Sequence, residues 1–146
     1  ISAAADRVQL QVGSLEIMPF ATFHDAAEPL GFLIYSRVDG ERLAFATDTV
    51  NLGYRFPCVN LLALEANYDK AILAQCERMP EKVKKRVTNS HMEINTLCRY
   101  LETLDLSVCR TLYLLHLSNA ASNEGRFVER VQRVVPRHVQ VVVCDA

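Results

Sequence analysis

A β-hairpin is predicted by residues 31–47, which read Gly-Phe-Leu-Ile-Tyr-Ser-Arg-Val-Asp-Gly-Glu-Arg-Leu-Ala-Phe-Ala-Thr. The aromatic and β-branched residues of the first half and the apolar residues of the second half are typical of strands. Asp39 and Gly40, between them, form a dipeptide that is common in tight hairpin turns. We therefore expect two antiparallel strands, over residues 31–38 and 42–47.

The segments on either side of this hairpin differ in their hydrophobic period. Upstream, residues 8–12 and 15–23 are rich in strand formers and are separated by a Gly13-Ser14 turn. Downstream, apolar runs alternate with segments in which apolar residues recur every three or four positions, as they do in helices. We predict strands at 61–64, 110–115 and 139–144, and helices at 69–78, 81–87, 94–104 and 124–135. This order predicts a layered α/β (α+β) fold, with more sheet than the helices can cover.

The composition indicates a single domain or a part of one. The chain has 146 residues, of which 50% are hydrophobic, and a formal net charge of −1. These values exclude a disordered chain and give no sign of a general polyanion-binding protein. No apolar run has the roughly 18 residues of a membrane span, and no signal peptide is recognised at residues 1–6. Five cysteines without paired spacing predict free thiols and a cytoplasmic location.

Polar residues that can ligate metal occur at the predicted ends of strands and helices. His24 and His116 each follow a predicted strand, Asp48 follows the second hairpin strand, and His91 is expected to open a helix. Side chains at the strand ends of an α/β sheet face solvent while the scaffold holds them rigidly. Imidazole and carboxylate groups suit zinc or manganese. Ordinary surface histidines and a turn-capping aspartate explain the same residues, and spacing does not choose between the two interpretations.

Taken together, five segments resemble the second half of a metallo-β-lactamase superfamily hydrolase of the phosphodiesterase branch. That branch includes cyclic-phosphate phosphodiesterases, tRNA 3′-processing endonucleases and small bacterial exonuclease-like proteins, and the last group is the most similar. The match runs from about Gly13 to the end of the chain, and its segments are His24-Asp-Ala-Ala-Glu-Pro-Leu-Gly-Phe32, Ala46-Thr-Asp-Thr49, Leu64-Glu-Ala-Asn-Tyr-Asp69, Ser90-His91 and Leu115-His-Leu-Ser118.

The resemblance implies half of a four-layer αββα sandwich and a centre of two divalent metal ions, zinc or manganese. His24 and His116 match metal-ligand histidines, and Asp48 matches the aspartate that bridges the two metals. His91 matches a histidine that contacts the scissile phosphate and assists the leaving oxygen. Glu65 and Asn67 are candidates for orienting a ligand histidine, although capping and loop hydrogen bonds explain them equally well.

The activity implied by the resemblance is hydrolysis of a phosphodiester, in DNA, RNA or a cyclic nucleotide-like compound, by a metal-bridging hydroxide. His91 and Asp48 are the expected catalytic residues. The basic residues Lys82, Lys84, Lys85 and Arg86 precede His91 and are either a contact for the phosphate backbone or a solvated helix face.

One departure from the family pattern is large. The superfamily signature His-x-His-x-Asp-His does not occur in the chain, which begins at Ile1 without an initiator methionine. We therefore expect residues 1–146 to be the C-terminal part of a single domain, to bind metal weakly and to be inactive without the N-terminal half. The exposed sheet would also favour self-association, as a homo-oligomer. An acyl or thioester hydrolase of the same superfamily and a metal-free, non-catalytic remnant of the fold remain alternatives.

Overall fold

A single seven-stranded mixed sheet organises the computed structural model, which describes residues 8–144. The first segment, residues 1–6, where no signal peptide is recognised, lies outside this range. The strands follow one another in chain order across the sheet, and they are β1 (Leu10–Val12), β2 (Leu15–Ala21), β3 (Leu30–Ser36), β4 (Arg42–Ala46), β5 (Leu61–Glu65), β6 (Thr111–Leu115) and β7 (Gln140–Val143).

The sheet changes from antiparallel to parallel at β4. Strands β1 to β4 pair antiparallel, and β4 to β7 pair parallel. Parallel neighbours require crossover connections. Helices supply them between β5 and β6 and between β6 and β7, whereas residues 47–60 connect β4 to β5 without a helix. The predicted hairpin is confirmed, since Tyr35 pairs with Arg42 and Phe32 with Phe45. The predicted order, consecutive strands followed by alternating helices and strands, is confirmed as well.

Four helices follow β5 within residues 8–144: α1 (Lys70–Gln75), α2 (Glu81–Ser90), α3 (Ile94–Leu101) and α4 (Glu124–Gln132). Side-chain oxygens of Asp69, Glu93 and Asn123 accept backbone N–H groups at the starts of α1, α3 and α4, as helix N-caps do. Helix α2 begins after Pro80 instead. Within residues 8–144 no helix is long and apolar enough to cross a membrane.

The two faces of the sheet differ in burial, because successive side chains along a strand point to opposite faces. On one face, apolar side chains of the sheet pack with those of α3 and α4 into the core, which includes Ala44, Leu62, Leu64, Leu112, Ile94, Leu97 and Phe127. The side chains of the other face are also apolar but only partly buried: Phe32, Ile34, Leu43, Phe45, Leu61 and Tyr113. We call these six residues the open face. It agrees with the expectation that the helices are too few to cover the sheet.

One prediction about the helices is wrong. His91 was expected to open a helix, but it follows the last residue of α2 and its backbone N–H bonds to the carbonyl of Val87. The next helix, α3, starts only at Ile94, where Glu93 provides the N-cap. His91 therefore lies in the short connection between two helices. This position places its side chain beside the end of β5, as described next.

Candidate metal centre

Four side chains that can ligate metal meet at the carboxyl ends of β4, β5 and β6. One ligand atom each from Asp48, Glu65, His91 and His116 lies within 4.8 Å of all the others. Asp48 follows β4, Glu65 ends β5, and His116 follows β6. These three strands are parallel neighbours, so their carboxyl ends meet at the same edge of the sheet. The connection between α2 and α3 brings His91 to this edge.

Glu65 contacts both imidazoles of the cluster and two backbone N–H groups. Its side chain is completely buried, and its Oε2 accepts the backbone N–H groups of Thr49 (2.7 Å) and Met92 (3.4 Å). Its Oε1 lies 2.7 Å from Nδ1 of His91 and 3.0 Å from Nδ1 of His116. A buried carboxylate is costly unless such partners compensate for lost hydration. Glu65 therefore holds both imidazoles in place.

Asp48 faces the same two imidazoles from the solvent side. Its Oδ1 is 3.4 Å from Nδ1 of His116 and 3.8 Å from Nδ1 of His91. Its side chain is 45% exposed, in contrast to that of Glu65. The cluster thus has one buried and one accessible carboxylate, with two imidazoles between them. Of the two carboxylates, that of Asp48 is therefore the one that solvent reaches.

The carboxylates determine the protonation of His91. The hydrogen bond to Glu65 raises the pKa of His91 above its ordinary value, burial opposes this effect, and the charges of Glu65, Asp48 and Asp25 add to it. A proton and a divalent cation compete for the same imidazole, because a histidine ligand must be neutral. The electrostatics of the site therefore favour any positive charge in it.

His24 borders the cluster on the side of Asp48. Its Nδ1 lies 2.9 Å from the carbonyl oxygen of Ser90, which can only accept, so this nitrogen carries the proton. The other ring nitrogen, Nε2, faces two carboxylates, at 3.1 Å from Oδ1 of Asp25 and 4.0 Å from Oδ1 of Asp48. A backbone carbonyl that orients a histidine in this way is typical of metal ligands. Asp25 in turn lies 3.4 Å from Nε of Arg86.

The backbone is in the left-handed region at two residues of the cluster. The φ angle is 53° at Asp48 and 58° at His116, and such angles are costly for residues other than glycine. The side chain of Asn67 stabilises the second of these, since its Nδ2 donates to the carbonyl oxygen of His116 at 2.7 Å. With these conformations, Oδ1 of Asp48 lies near the imidazole of His116, and this imidazole lies against Glu65.

The predicted site residues lie together in the structure. His24, Asp48, His91 and His116 converge, Glu65 contacts two of the imidazoles, and Asn67 contacts the backbone of one ligand candidate. The central position of Glu65 was underestimated from the sequence. A fully apolar strand that ends in a glutamate was the available signal, because burial of such a residue requires partners.

The basic residues before His91 have separate partners. Lys84 lies 3.0 Å from Glu81 within α2, and Arg86 contacts Asp25 beside His24. The interpretation of a solvated helix face fits Lys82 and Lys85, which are exposed. Only Arg86 reaches the edge of the cluster. The donor set of imidazoles and carboxylates suits zinc or manganese, so the residues present fit the predicted metals.

Comparisons with known proteins agree with this geometry. The metallo-β-lactamase fold protein YhfI from Bacillus subtilis superposes with a TM-score of 0.68 and 15% sequence identity, over 97% of this chain and 51% of that chain. Unliganded yeast PDE1 superposes with a TM-score of 0.61 and 10% identity, over 96% of this chain and 47% of that chain. No protein-family model matches the chain. The chain therefore has the metallo-β-lactamase fold, as the resemblance predicted, and spans about half the length of these two structures.

The similarity in sequence is more specific. Over 112 residues, 73% of this chain, it is 30% identical to a curated protein of Bacillus anthracis named exodeoxyribonuclease YycJ. The chain covers 41% of that relative, so it spans less than half the length of the curated protein it matches. Within the metallo-β-lactamase fold class, the similarity thus lies with a nuclease-like branch.

Proposed function

We propose that this chain carries part of the metal centre of a phosphodiester hydrolase that acts on nucleic acid. The observation that carries this proposal is the convergence of His24, His91 and His116 around Oδ1 of Asp48, at 4.0, 3.8 and 3.4 Å. Neither surface histidines nor a turn-capping aspartate would need to meet in this way. The name of the Bacillus anthracis relative favours DNA as the substrate.

The chain's own residues have distinct roles in this proposal. His24, Asp48 and His116 would hold the cations, and divalent cations at such a centre would supply Lewis acidity and an activated water. Glu65 orients His116 and His91 through their Nδ1 atoms. His91 then presents Nε2 to the substrate and gives a proton to the leaving oxygen.

The remaining ligands would come from a signature segment, His-x-His-x-Asp-His, in an N-terminal half of the same domain. The open face supports this part of the proposal, because a partly exposed apolar sheet face gains stability when a second sheet packs on it. The share of the neighbours' chains that is covered, 51% and 47%, fits the same arrangement. Activity and substrate therefore belong to the full-length protein.

A test compares metal binding with hydrolysis in the full-length protein. Its histidine variants are titrated with Zn²⁺ and Mn²⁺ by calorimetry and assayed on a labelled DNA oligonucleotide. We expect His116→Ala to weaken metal binding by more than about tenfold and to abolish hydrolysis. We expect His91→Ala to lower hydrolysis by about 10²–10⁴-fold with less than a tenfold change in metal affinity. His138→Ala, remote from the centre, is the control.

Three results would contradict the proposal. If His116→Ala binds metal as the wild type does, the cluster is not the metal centre. If His91→Ala loses less than about tenfold in hydrolysis, the proton does not come from this residue. If thioesters are hydrolysed and oligonucleotides are not, the chemistry is acyl transfer and the assignment of the substrate is wrong.

A further inference from the structure

A groove lies next to the metal centre, between the loop that follows β4 and helix α3. The groove has a volume of about 540 Å³. Among the aromatic, polar and charged residues that line it are Phe23, Asn51, Tyr54, Arg55, Thr96 and Arg99. We call it the aromatic–arginine groove. Sites that bind small molecules commonly enclose about 300–1,000 Å³. The volume of the groove lies within this range.

Two segments of the chain contribute residues to both the groove and the metal centre. Phe23 directly precedes His24, and Asn51 follows Asp48 by three residues. The two segments are joined by hydrogen bonds, since the N–H of Phe23 donates to Oγ1 of Thr49 at 3.0 Å and the N–H of Val50 donates to the carbonyl of Phe23 at 2.9 Å. The segments that present His24 and Asp48 thus also form one wall of the groove.

The groove faces away from the open face of the sheet. Tyr54 packs against Phe20 with ring centroids 5.1 Å apart, and Phe20 belongs to the core on the helix side. A second sheet packed on the open face would leave this side accessible. The groove would therefore stay open in a complete two-sheet domain.

Two guanidinium groups in the groove lack a neutralising acid. Arg55 and Arg99 are both exposed, and neither forms a salt bridge within residues 8–144. Arg99 donates to Oγ1 of Thr96 at 2.9 Å, which orients it along α3. Glu93, which caps this helix, uses its carboxylate on Asn95 and Thr96. The positive charge is thus available to an anion that offers two oxygens to the planar guanidinium, such as a phosphate.

The aromatic residues provide a flat apolar surface beside these charges. Phe23 is 55% exposed, which is unusual for so large an apolar side chain. The backbone of Tyr54 is fixed, because the hydroxyl of the buried Tyr100 donates to its carbonyl oxygen at 2.8 Å. Burial raises the pKa of Tyr100, so that this donor stays protonated. The position of Tyr54 in the wall of the groove is therefore set by the fold itself.

We infer that the aromatic–arginine groove binds a single-stranded polynucleotide, with a base stacked on Phe23 and backbone phosphates on Arg55 and Arg99. Aromatic platforms flanked by cations are the usual means of binding single strands. A duplex keeps its base faces stacked and offers none to Phe23. An acidic peptide could neutralise the arginines but has no base for the aromatic surface. This inference rests on the proposed function, because it names the substrate that would enter the centre.

The test measures binding of fluorescent ten-nucleotide oligo(dT) and oligo(U) to the full-length protein by anisotropy, with EDTA present to prevent cleavage. We expect the double variant Arg55→Ala/Arg99→Ala to raise the Kd by at least about tenfold and to lower the slope of log Kd against log salt by about 1.4. Phe23→Leu is expected to raise the Kd by about fivefold or more, as loss of a stacked base does. The matched control, Arg37→Ala/Arg137→Ala, removes two exposed arginines elsewhere and should bind as the wild type does.

The inference is supported if the protein binds either oligonucleotide and the groove variants bind it with the higher Kd expected above. The ratio of the Kd values for oligo(dT) and oligo(U) shows whether DNA or RNA is preferred. Wild-type affinity in both groove variants would overturn it, and so would equal affinity for a duplex or equal competition by poly-glutamate. Hydrolysis of bis(4-nitrophenyl) phosphate is measured in parallel. If the protein binds oligonucleotides through the groove but cleaves neither an oligonucleotide nor bis(4-nitrophenyl) phosphate, the proposed function is wrong and the inference about the groove is supported. If it cleaves this small diester while the groove variants bind normally, only the groove is wrong.

Discussion

Asp48 and His116 combine a chemically useful side chain with an unfavourable backbone. Their φ angles of 53° and 58° place both in the left-handed region. Such conformations persist where the surroundings hold them, and they occur often at functional sites. Here the hydrogen bond from Asn67 to the carbonyl of His116 is one such restraint. The local cost is consistent with selection for the direction of the side chain rather than for stability.

Glycine should therefore be more stabilising than alanine at position 116. Both substitutions remove the imidazole, so their comparison isolates the backbone. We expect the free energy of unfolding of His116→Gly to exceed that of His116→Ala by about 1 kcal/mol, because alanine at positive φ is strained. Urea denaturation measures the difference. At the exposed Asn119, whose φ is not positive, the order should reverse; the same order at both positions would contradict the argument.

The pairing of β2 with β3 depends on a missing side chain. Gly31 lies opposite Phe20, and a Cβ at Gly31 would collide with the Phe20 ring and lie 2.9 Å from the carbonyl oxygen of Phe45. We expect Gly31→Ala to lower the free energy of unfolding by about 1–3 kcal/mol, as overpacking does. Gly53→Ala, where a Cβ meets nothing within 4 Å, is the control. Equal stability of the two variants in urea would show that the close approach is absent.

Helix α1 should be sensitive to acid through its N-cap. The pKa of Asp69 is lowered: burial raises it, but the N–H groups of Ala71 and Ile72 and the guanidinium of Arg130 outweigh burial. A lowered pKa means that the charged carboxylate stabilises the fold above about pH 4 and that this contribution is lost as the pH falls through the folded-state pKa.

The comparison for this prediction is Asp69→Asn, which keeps a capping oxygen but removes the charge. We expect it to lower the free energy of unfolding by about 0.5–1 kcal/mol at pH 7, and the difference from wild type to shrink as the pH is lowered below about 4. Urea denaturation across this range measures it. Glu77→Gln, at an exposed position, should show no such trend. A difference that stays constant with pH would refute the role of the charge.

At the scale of the whole molecule, the open face controls association. Its central residues, including Ile34, Leu43 and Leu61, are apolar and only partly buried. Exposed apolar patches of this kind favour contact with another surface. We expect the 146-residue chain to self-associate as its concentration rises, and Leu43→Lys to reduce this association. Sedimentation velocity measures both. Val38→Lys, at a position that is 80% exposed outside this face, is the control; an equal effect of both substitutions would place the contact elsewhere.

Much of the architecture could be predicted from local patterns. The hairpin, β5, the crossover helices and β7 all appear near the predicted residues, because turn dipeptides and hydrophobic period act over a few neighbouring positions. His24, Asp48 and His116 were singled out by their places at strand ends, and the structure brings them close together. The connection around His91 was misjudged, since Thr88-Asn89-Ser90 resembles the start of a helix but ends one here. Whether Thr88-Asn89-Ser90 ends one helix or starts the next depends on how the two helices pack. The local sequence pattern does not contain this information.

The order of residues along this chain was enough to specify the strands, the helices and the residues able to ligate metal, because those depend on composition and short-range periodicity. The parallel register of β4, β5 and β6 brought Asp48, Glu65 and His116 to one edge, and this requires pairing between segments far apart in sequence. The buried position of Glu65, the left-handed backbone at two ligand candidates and the walls of the aromatic–arginine groove depend on the same long-range packing. They exist only once the sheet has formed, since each needs partners that the chain supplies from distant positions.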